Sequence, residues 1–128
     1  AVCLRESGEP IGCVGLQTGD AANLPLAFRE AELGYWLGVP HWGKGYIPEA
    51  CQALIAHAFT ALHYDALWCC CNDINAQSKR VMEKCHFTHI RTEERPAFIQ
   101  DADGWTFTGQ TRMEYIARLT RWEWGRLA

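Results

Sequence analysis

The chain has 128 residues, of which 48% are hydrophobic and 21% are charged, and its formal net charge is −3. This length fills one hydrophobic core of ordinary size, so we expect residues 1–128 to form a single soluble domain. The 12 lysine and arginine residues form no long run, which argues against nucleic acid or an anionic membrane as a partner.

The first half of the chain alternates strand patterns with turns and then enters a helix. Residues 1–18 are typical of a β-hairpin, residues 19–30 of a loop, and residues 31–39 of a strand rich in aromatic and branched side chains. After the next turn, apolar residues recur every four positions, which indicates an amphipathic helix. Pro48 suits the first helical position, because the N–H that it lacks would have no helical partner there.

The second half continues the alternation of strands and helices. The stretch "ALWCCC", residues 66–71, is continuously apolar, as expected of a strand covered on both faces. A second helix begins within "NDINAQS", and residues 88–94 and 111–119 are typical of two strands joined by a long loop with the features of a hairpin tip. Thr120 and Glu123 have the spacing of a capping box for a short terminal helix. The order β-β-β-α-β-α-β-β predicts an α/β domain with a parallel or mixed sheet and helices on its faces.

Seven cysteines are present, and Cys69, Cys70 and Cys71 are adjacent. Neighbouring strand residues point to opposite faces, so the triplet can neither pair readily with itself nor hold one ion tetrahedrally. We therefore expect no metal and interpret the cysteines as packing residues in the reducing cytoplasm, with a cysteine-based metal or redox protein as the weaker alternative. The sequence opens with no signal-peptide pattern and has no apolar run near the roughly 20 residues of a membrane span, which also predicts no membrane partner.

The stretch "HWGKGYIPEA", residues 41–50, lies between a predicted strand and a predicted helix. A helix that begins directly after a strand presents unpaired N–H groups and the positive end of its dipole, and phosphate is a natural ligand for both. Gly43 and Gly45 lack the Cβ atoms that would keep a phosphate away from the backbone, and Lys44 adds a positive charge. The turn is therefore a candidate phosphate site.

This turn matches neither of the common nucleotide motifs. The Walker pattern requires Ser or Thr after its lysine, whereas Gly45 follows Lys44, and the dinucleotide fingerprint requires a third glycine where Pro48 stands. A tight turn that binds nothing is the simpler alternative. Glu49 favours it, because a carboxylate in the first helical turn competes for the dipole that a phosphate would use.

Two longer stretches around the turn carry a resemblance to a known family. The run "ELGYWLGVPHWGKGYIPEA", followed at a helix-sized interval by "CNDINAQSKRVMEKCHF", resembles the GNAT superfamily of acyl-CoA-dependent N-acetyltransferases. More narrowly, residues 1–119 are similar to the branch that acetylates the N-terminal amines of ribosomal proteins. The resemblance implies a mixed, mostly antiparallel central sheet with a central parallel pair and helices on both faces. The family fold normally begins with a strand and two helices before the hairpin, so we expect an N-terminally truncated domain.

The resemblance implies acetyl-CoA as the cosubstrate, with its diphosphate bound at the glycine turn. The residues of this loop would be Trp42, Gly43, Lys44, Gly45, Tyr46 and Ile47. The family pattern has Arg or Gln in the first of these places and a small residue in the last. Backbone groups of Leu37, Gly38 and Val39 would pair with the pantetheine arm like an added strand. The thioester would then lie where this strand and "ALWCCC" separate.

Two polar residues of the second helix are candidates for the same site. Asn75 is typical of an N-cap, and the resemblance adds a contact with pantetheine. Ser78 is either a helix-surface hydroxyl bonded to its own backbone or part of the cofactor and catalytic site. Many family members carry a proton-donating tyrosine where this chain has Met82, whose thioether cannot donate. Ser78 is our first candidate for the general acid, because the branch that the chain resembles often carries a serine there, and Cys71 is a distant second.

Glu32 is the candidate general base. In the family, a carboxylate on this strand commonly acts through one water, and the alternative is a solvated strand residue. Tyr35 and His41 are weaker candidates. Because holding the amine next to the thioester supplies much of the acceleration, a weak acid and a weak base suffice.

The resemblance thus implies an acyl-CoA-dependent N-acetyltransferase in which a primary amine attacks acetyl-CoA directly in a ternary complex. The alternative is a non-catalytic module of the same fold that binds CoA or a protein partner. A truncated domain would expose a sheet edge and apolar surface, so we also expect a homodimer, including one formed by strand exchange. Peptide N-termini, aminoglycosides, polyamines and amino acids all stay open as the acceptor.

Overall fold

The computed structural model describes residues 1–127 and contains six strands and three α-helices in that range. The strands are β1 Val2–Cys3, β2 Pro10–Gln17, β3 Glu30–Leu37, β4 Ala66–Asn72, β5 Thr88–Asp101 and β6 Gly104–Thr120. The helices are α1 Tyr46–Thr60, α2 Ala76–Lys84 and α3 Arg121–Gly125. The strands form one sheet in the order β1-β2-β3-β4-β6-β5, in which β3 and β4 are parallel and the other neighbours antiparallel. This arrangement confirms the predicted α/β fold with a central parallel pair.

The ends of the helices follow local sequence signals. Gly45 is the N-cap of α1 and has a left-handed backbone, so α1 begins at Tyr46, two residues before Pro48. Pro48 is therefore within the first turn and not at the first position as predicted. Asn75 caps α2 as predicted, because its Oδ1 accepts a hydrogen bond from the Ser78 amide over 3.0 Å. The predicted capping box of α3 is also present.

The core lies between the sheet and the helices. Odd-numbered residues of β3 and β4, such as Leu33 and Cys69, share one buried cluster with Ile55 of α1 and Met82 of α2. On α3, the Trp124 ring packs against the Phe59 ring, which belongs to the same cluster. Here the structure differs from the expectation of helices on both faces, because the buried stripes of the three helices all meet the same side of the sheet. Within residues 1–127, the loop that follows β2 covers part of the opposite side.

The two central strands separate along their length. β3 and β4 pair at three positions, Glu30 with Ala66, Ala31 with Leu67 and Glu32 with Trp68. Beyond these pairs, β3 stays bonded to β2 as far as Leu37, and β4 stays bonded to β6 as far as Asn72. The carboxyl ends of the parallel pair therefore diverge and leave a gap in the middle of the sheet.

The hairpin of β5 and β6 is longer than the sequence indicated. Its pairing runs to Asp101 and Gly104, so the residues expected to form a long loop continue both strands up to a tight turn. An irregularity between Pro96 and Phe98 interrupts the register, which accommodates a proline that cannot donate to the ladder. Large apolar side chains are exposed on this hairpin, including those of Phe98 and Trp105.

The cysteines pack as predicted for the most part. Cys51, Cys69, Cys71 and Cys85 are buried, and the seven cysteines form no disulfide. Cys70 is half-buried on the opposite side of the sheet from its two neighbours. In the part of the chain that the structure describes, we find no cluster of three or more His, Cys, Asp or Glu side chains that could hold a metal ion. Over the same residues, no helix combines the length and the hydropathy of a membrane span.

Candidate active site

A cleft of about 760 Å³ occupies the gap between β3 and β4. On the helix side of the sheet, Tyr35 and Ser78 line it, and on the other side Glu32 and Glu114 do. The residues of the glycine turn form one end of it. Because the strands diverge, the cleft passes through the sheet, and a ligand held on the helix side can meet a second ligand that enters from the opposite side.

The glycine turn presents a row of unpaired backbone donors to this cleft. Gly43 and Gly45 have φ angles of 77° and 79°, a left-handed conformation that glycine adopts without the strain of other residues. Among residues 1–127, the amides of residues 43–47 donate no hydrogen bond to another part of the chain. A Cβ added at either glycine would meet no atom of the chain within 4 Å, so it would occupy space that a ligand could fill. The turn thus has the open, donor-rich geometry of an anion cradle.

Trp42 fixes the start of this turn. Its indole Nε1 donates to the carbonyl of Leu37 over 2.7 Å, and its amide donates to the carbonyl of Val39 over 3.1 Å. The Gly38 carbonyl accepts from the His41 amide, and the Gly38 amide donates to Ile11. The carbonyls of Leu37, Gly38 and Val39, whose backbone groups were predicted to pair with pantetheine, therefore each accept one bond already. In the described chain the Val39 amide donates to no other residue, although Val39 does not line the cleft.

The structure brings most of the predicted site residues to the cleft. Those that line it are Glu32, Leu37, Trp42, Gly43, Gly45, Tyr46, Ile47, Asn75 and Ser78. Gly38, Val39 and Lys44 do not line it, and the Lys44 side chain is exposed. Ile47, which is bulkier than the residue usual at its place, turns its side chain into the core, where it is 6% exposed.

Two basic residues of α2 also line the cleft, and sequence reasoning did not assign them to it. Arg80 and Lys84 stand four residues apart, so they share one face of the helix. The helical pattern puts both residues on the solvent-facing side of α2, and both are exposed. A helix pattern separates polar from apolar sides but does not show where a cleft opens beside the polar one. The two cations add positive charge to the half of the cleft that contains the glycine turn.

Ser78 and Tyr35 meet across the helix side of the cleft. The Tyr35 hydroxyl makes a short hydrogen bond with the Ser78 hydroxyl and also lies 3.3 Å from the Ser78 carbonyl. Ser78 is buried, and burial raises the pKa of Tyr35 far above its usual value. Met82 is 2% exposed and belongs to the core.

Glu32 is a buried carboxylate on the opposite side of the sheet. It is 3% exposed and accepts hydrogen bonds from the Asn23 amide over 2.6 Å and from the Asn23 side chain over 3.0 Å. Arg95 in turn donates to the Asn23 carbonyl over 2.6 Å, which ties the loop after β2 to the β5 strand. Glu32 is therefore not the solvated strand residue that we considered as an alternative.

A second carboxylate, Glu114 of β6, lines the same side of the cleft and was not predicted. It is 6% exposed, and its Oε2 accepts from Arg112 Nε over 3.1 Å. Cys70 lies between the two carboxylates. Burial, and then the charges of Glu32 and Glu114, raise the pKa of its thiol, so Cys70 stays neutral. Only the fold brings Glu32 and Glu114 together, and no spacing in the sequence indicates the pair.

Comparison with known proteins assigns the family. The sequence model of the acetyltransferase (GNAT) domain matches residues 1–88. The chain is 33% identical over 87 residues to the uncharacterized N-acetyltransferase p20 of Bacillus licheniformis, a match that covers 68% of the chain and 46% of p20. It is 35% identical over 84 residues to the proposed ribosomal N-acetyltransferase YdaF of Bacillus subtilis (strain 168), covering 66% of the chain and 43% of YdaF. The chain thus belongs to the GNAT acetyltransferase family, and its matches cover less than half of the length of these two relatives.

Solved structures show the same fold. The F149A mutant of spermidine N-acetyltransferase SpeG from Vibrio cholerae superimposes with a TM-score of 0.77 at 19% identity, over 99% of this chain and 68% of that one. Mycobacterium smegmatis RimJ in complex with CoA-disulfide superimposes with a TM-score of 0.67 at 20% identity, over 88% of this chain and 48% of that one. The predicted family and fold are confirmed, and the ribosomal acetyltransferase-like branch is consistent with these relatives.

Proposed function

We propose that the protein transfers the acetyl group of acetyl-CoA to a primary amine by direct attack in a ternary complex. The observation that carries the proposal is the unpaired row of amides at residues 43–47, at one end of a cleft that passes through the sheet. One ligand can bind on the helix side of this cleft, and the other can reach it from the side of Glu32. Membership of the GNAT family supports acetyl-CoA as the first ligand.

The residues present fit coenzyme A. The glycine turn and the first turn of α1 would hold the diphosphate through backbone donors, and Arg80 and Lys84 would add charge attraction to its phosphates. Asn75 uses its Oδ1 to cap α2, which leaves its amide Nδ2 as a donor for the pantetheine arm. Acetyl-CoA supplies the activated acetyl group, and the chain supplies the orientation.

On the opposite side, Glu32 is the proposed general base. The acceptor amine must be neutral when its nitrogen attacks the thioester carbonyl, so a carboxylate that takes its proton through a water promotes the reaction. Glu32 is held in place by Asn23 and lines the cleft, which supports its placement as this group. When the carbon–sulfur bond breaks, the sulfur keeps the electron pair and needs a proton, for which Ser78 is the proposed donor.

The acceptor is proposed as a primary amine of a peptide N-terminus or of a small molecule. The name of YdaF points to ribosomal protein, and the name of SpeG to spermidine. Two buried carboxylates, Glu32 and Glu114, line the side of the cleft from which the acceptor would enter. Because Arg112 pairs with Glu114, it is Glu32 whose charge would favour an acceptor that arrives as a cation and loses its proton in the cleft.

One observation favours a second candidate, a module that binds CoA without turnover. Met82 occupies the place of the usual proton-donating tyrosine and is buried in the core. Calorimetry with CoA, followed by thiol release from acetyl-CoA in the presence of N-terminal peptides and small amines, separates the two candidates. We expect binding with amine-dependent thiol release. Binding without release would favour the module, and no binding would overturn both.

We also propose a homodimer in the cytoplasm. The unpaired state of all seven cysteines supports a reducing location. Exposed apolar side chains on the β5–β6 hairpin, among them Phe98, Trp105 and Phe107, support self-association, including strand exchange. Sedimentation at micromolar concentration is expected to give twice the chain mass, and a single-chain mass would contradict the dimer.

A further inference from the structure

The contact between Tyr35 and Ser78 joins two elements that are distant in sequence. Tyr35 projects from β3 toward the helix side of the sheet, and its hydroxyl reaches both polar groups of Ser78 on α2, the hydroxyl and the carbonyl. Ser78 is also held through its amide, which donates to Asn75. Both side chains line the cleft. The Ser78 hydroxyl is thus fixed at the wall of the cleft.

The direction of this hydrogen bond decides where the Ser78 proton points. A tyrosine hydroxyl and a serine hydroxyl can each donate or accept. Burial keeps Tyr35 protonated, so it stays a donor through the reaction. The single Tyr35 proton has two acceptors in reach, the Ser78 carbonyl at 3.3 Å and Ser78 Oγ, which makes the shorter contact. If Tyr35 donates to Ser78 Oγ, the Ser78 proton must point to another acceptor. Within the described residues, Ser78 Oγ donates to no backbone carbonyl, so its own helix does not provide that acceptor.

We propose that Tyr35 is a positioning residue whose hydroxyl donates to Ser78 Oγ and thereby turns the Ser78 proton into the cleft. The inference rests on the proposed acetyl transfer. When the carbon–sulfur bond breaks, the sulfur takes the proton of Ser78. The amine proton goes to Glu32, Ser78 regains a proton from water in the cleft, and Tyr35 keeps its own throughout. The Tyr35 hydrogen bond stabilises the negative charge that develops on the Ser78 oxygen.

This role differs from simple packing. The Tyr35 ring contacts the core cluster from its edge, and a phenylalanine would fill the same space. The hydroxyl adds nothing to that packing, because its partners are the two oxygen atoms of Ser78. Removing the hydroxyl should therefore leave the fold and the CoA site in place and change only the step in which Ser78 donates.

The experiment is a double-mutant cycle with Tyr35→Phe, Ser78→Ala and the combined variant, with kcat and KM for acetyl-CoA measured by thiol release. We expect Tyr35→Phe to lower kcat about tenfold, the effect of one lost hydrogen bond to a developing charge, with KM and the Kd for CoA within about twofold of wild type. In the Ser78→Ala background, Tyr35→Phe should cause no further loss. Tyr64→Phe is the matched control, because Tyr64 also borders the core cluster but does not line the cleft.

Two results would overturn the inference: an unchanged kcat in Tyr35→Phe, or an equal loss in both backgrounds. If an unchanged kcat is accompanied by a fall in melting temperature or in CoA affinity, Tyr35 is a packing residue. An inactive wild-type chain is a different result, since it contradicts the proposed acetyl transfer itself. The wild-type assay with the amine panel therefore comes first and separates the two failures.

Discussion

Glu32 and Trp68 form the last paired position between β3 and β4. Toward the amino ends of the strands the sheet is continuous, and toward the carboxyl ends it opens into the cleft. Glu32 therefore stands where the opening begins, on the side opposite α1 and α2. The position explains how one residue can be buried within the sheet and still face the space between the strands.

Alanine at both Gly43 and Gly45 is expected to weaken CoA binding by at least about tenfold, equivalent to roughly 1.4 kcal/mol. The added Cβ atoms enter the space in front of the amides, and the left-handed backbone that both glycines adopt is strained for alanine. Calorimetry with CoA measures the change. Gly15→Ala is the control, since its Cβ also meets nothing within 4 Å but lies on β2. Full affinity in the double variant would remove the turn from the CoA site.

Removal of the two cations of α2 should weaken CoA binding in a salt-dependent way. We expect the Arg80→Ala, Lys84→Ala double variant to bind CoA about tenfold less tightly at low ionic strength, with a smaller difference at high salt because screening weakens exposed charge pairs. Arg5→Ala is the control, because Arg5 lies in the turn between β1 and β2, outside the lining of the cleft. An equal loss at every salt concentration would argue against charge attraction.

Glu32→Gln tests the base. We expect kcat/KM for the amine to fall by roughly 100-fold or more, the usual contribution of a general base, while CoA affinity stays constant. The control is Glu30→Gln on the same strand, whose carboxylate accepts from the Ala27 amide and does not line the cleft. Glutamine keeps only one acceptor oxygen for Asn23, so unfolding should be followed in parallel. Wild-type kcat/KM in Glu32→Gln would exclude it as the base.

The capping box of α3 predicts a pH effect on stability. Hydrogen bonds from the Thr120 amide and hydroxyl lower the pKa of Glu123 below 4.5 in the folded chain. As the pH falls, Glu123 is therefore protonated at a higher pH in the unfolded chain than in the folded chain. Its contribution to the free energy of unfolding is complete above the pKa of the unfolded chain and is lost as the pH falls through the pKa of the folded chain. Chemical unfolding between about pH 5 and 3 should show a weaker pH dependence for Glu123→Gln than for wild type. Equal slopes would contradict the prediction.

The threonine of the same capping box also contributes to stability. Thr120→Ala should lower the free energy of unfolding by about 1 kcal/mol at neutral pH, as loss of an N-cap does.

The order of elements was predictable because each element carries local signals. The capping residues Asn75 and Thr120 and the apolar repeat of α1 act over a few positions, so the chain itself reveals them. The extent of β5 and β6 was not predictable in this way. Pro96 and the turn residues near Gly104 suggest a loop, and the pairing across the hairpin overrides that local preference.

The same distinction between local signals and tertiary contacts applies to the candidate site. Gly43, Gly45 and Asn75 follow from short motifs, and the structure places them at the cleft. The partners Tyr35 and Ser78 are far apart in sequence, and their contact requires β3 and α2 to be packed together. Arg80, Lys84 and Glu114 were missed for the same reason, because a cleft between diverging strands is a tertiary feature.

The parallel pairing of β3 and β4 also has a consequence for how the chain folds. Glu30 and Ala66 lie on either side of α1 in the sequence, whereas Asp101 and Gly104 of the hairpin are nearly adjacent. Closing the longer loop costs more entropy, so the hairpin can assemble early and the three parallel pairs only after α1 has docked. The region that would bind both substrates is thus completed late in folding, and hydrogen exchange should find its few parallel bonds opening well before those of the hairpin base.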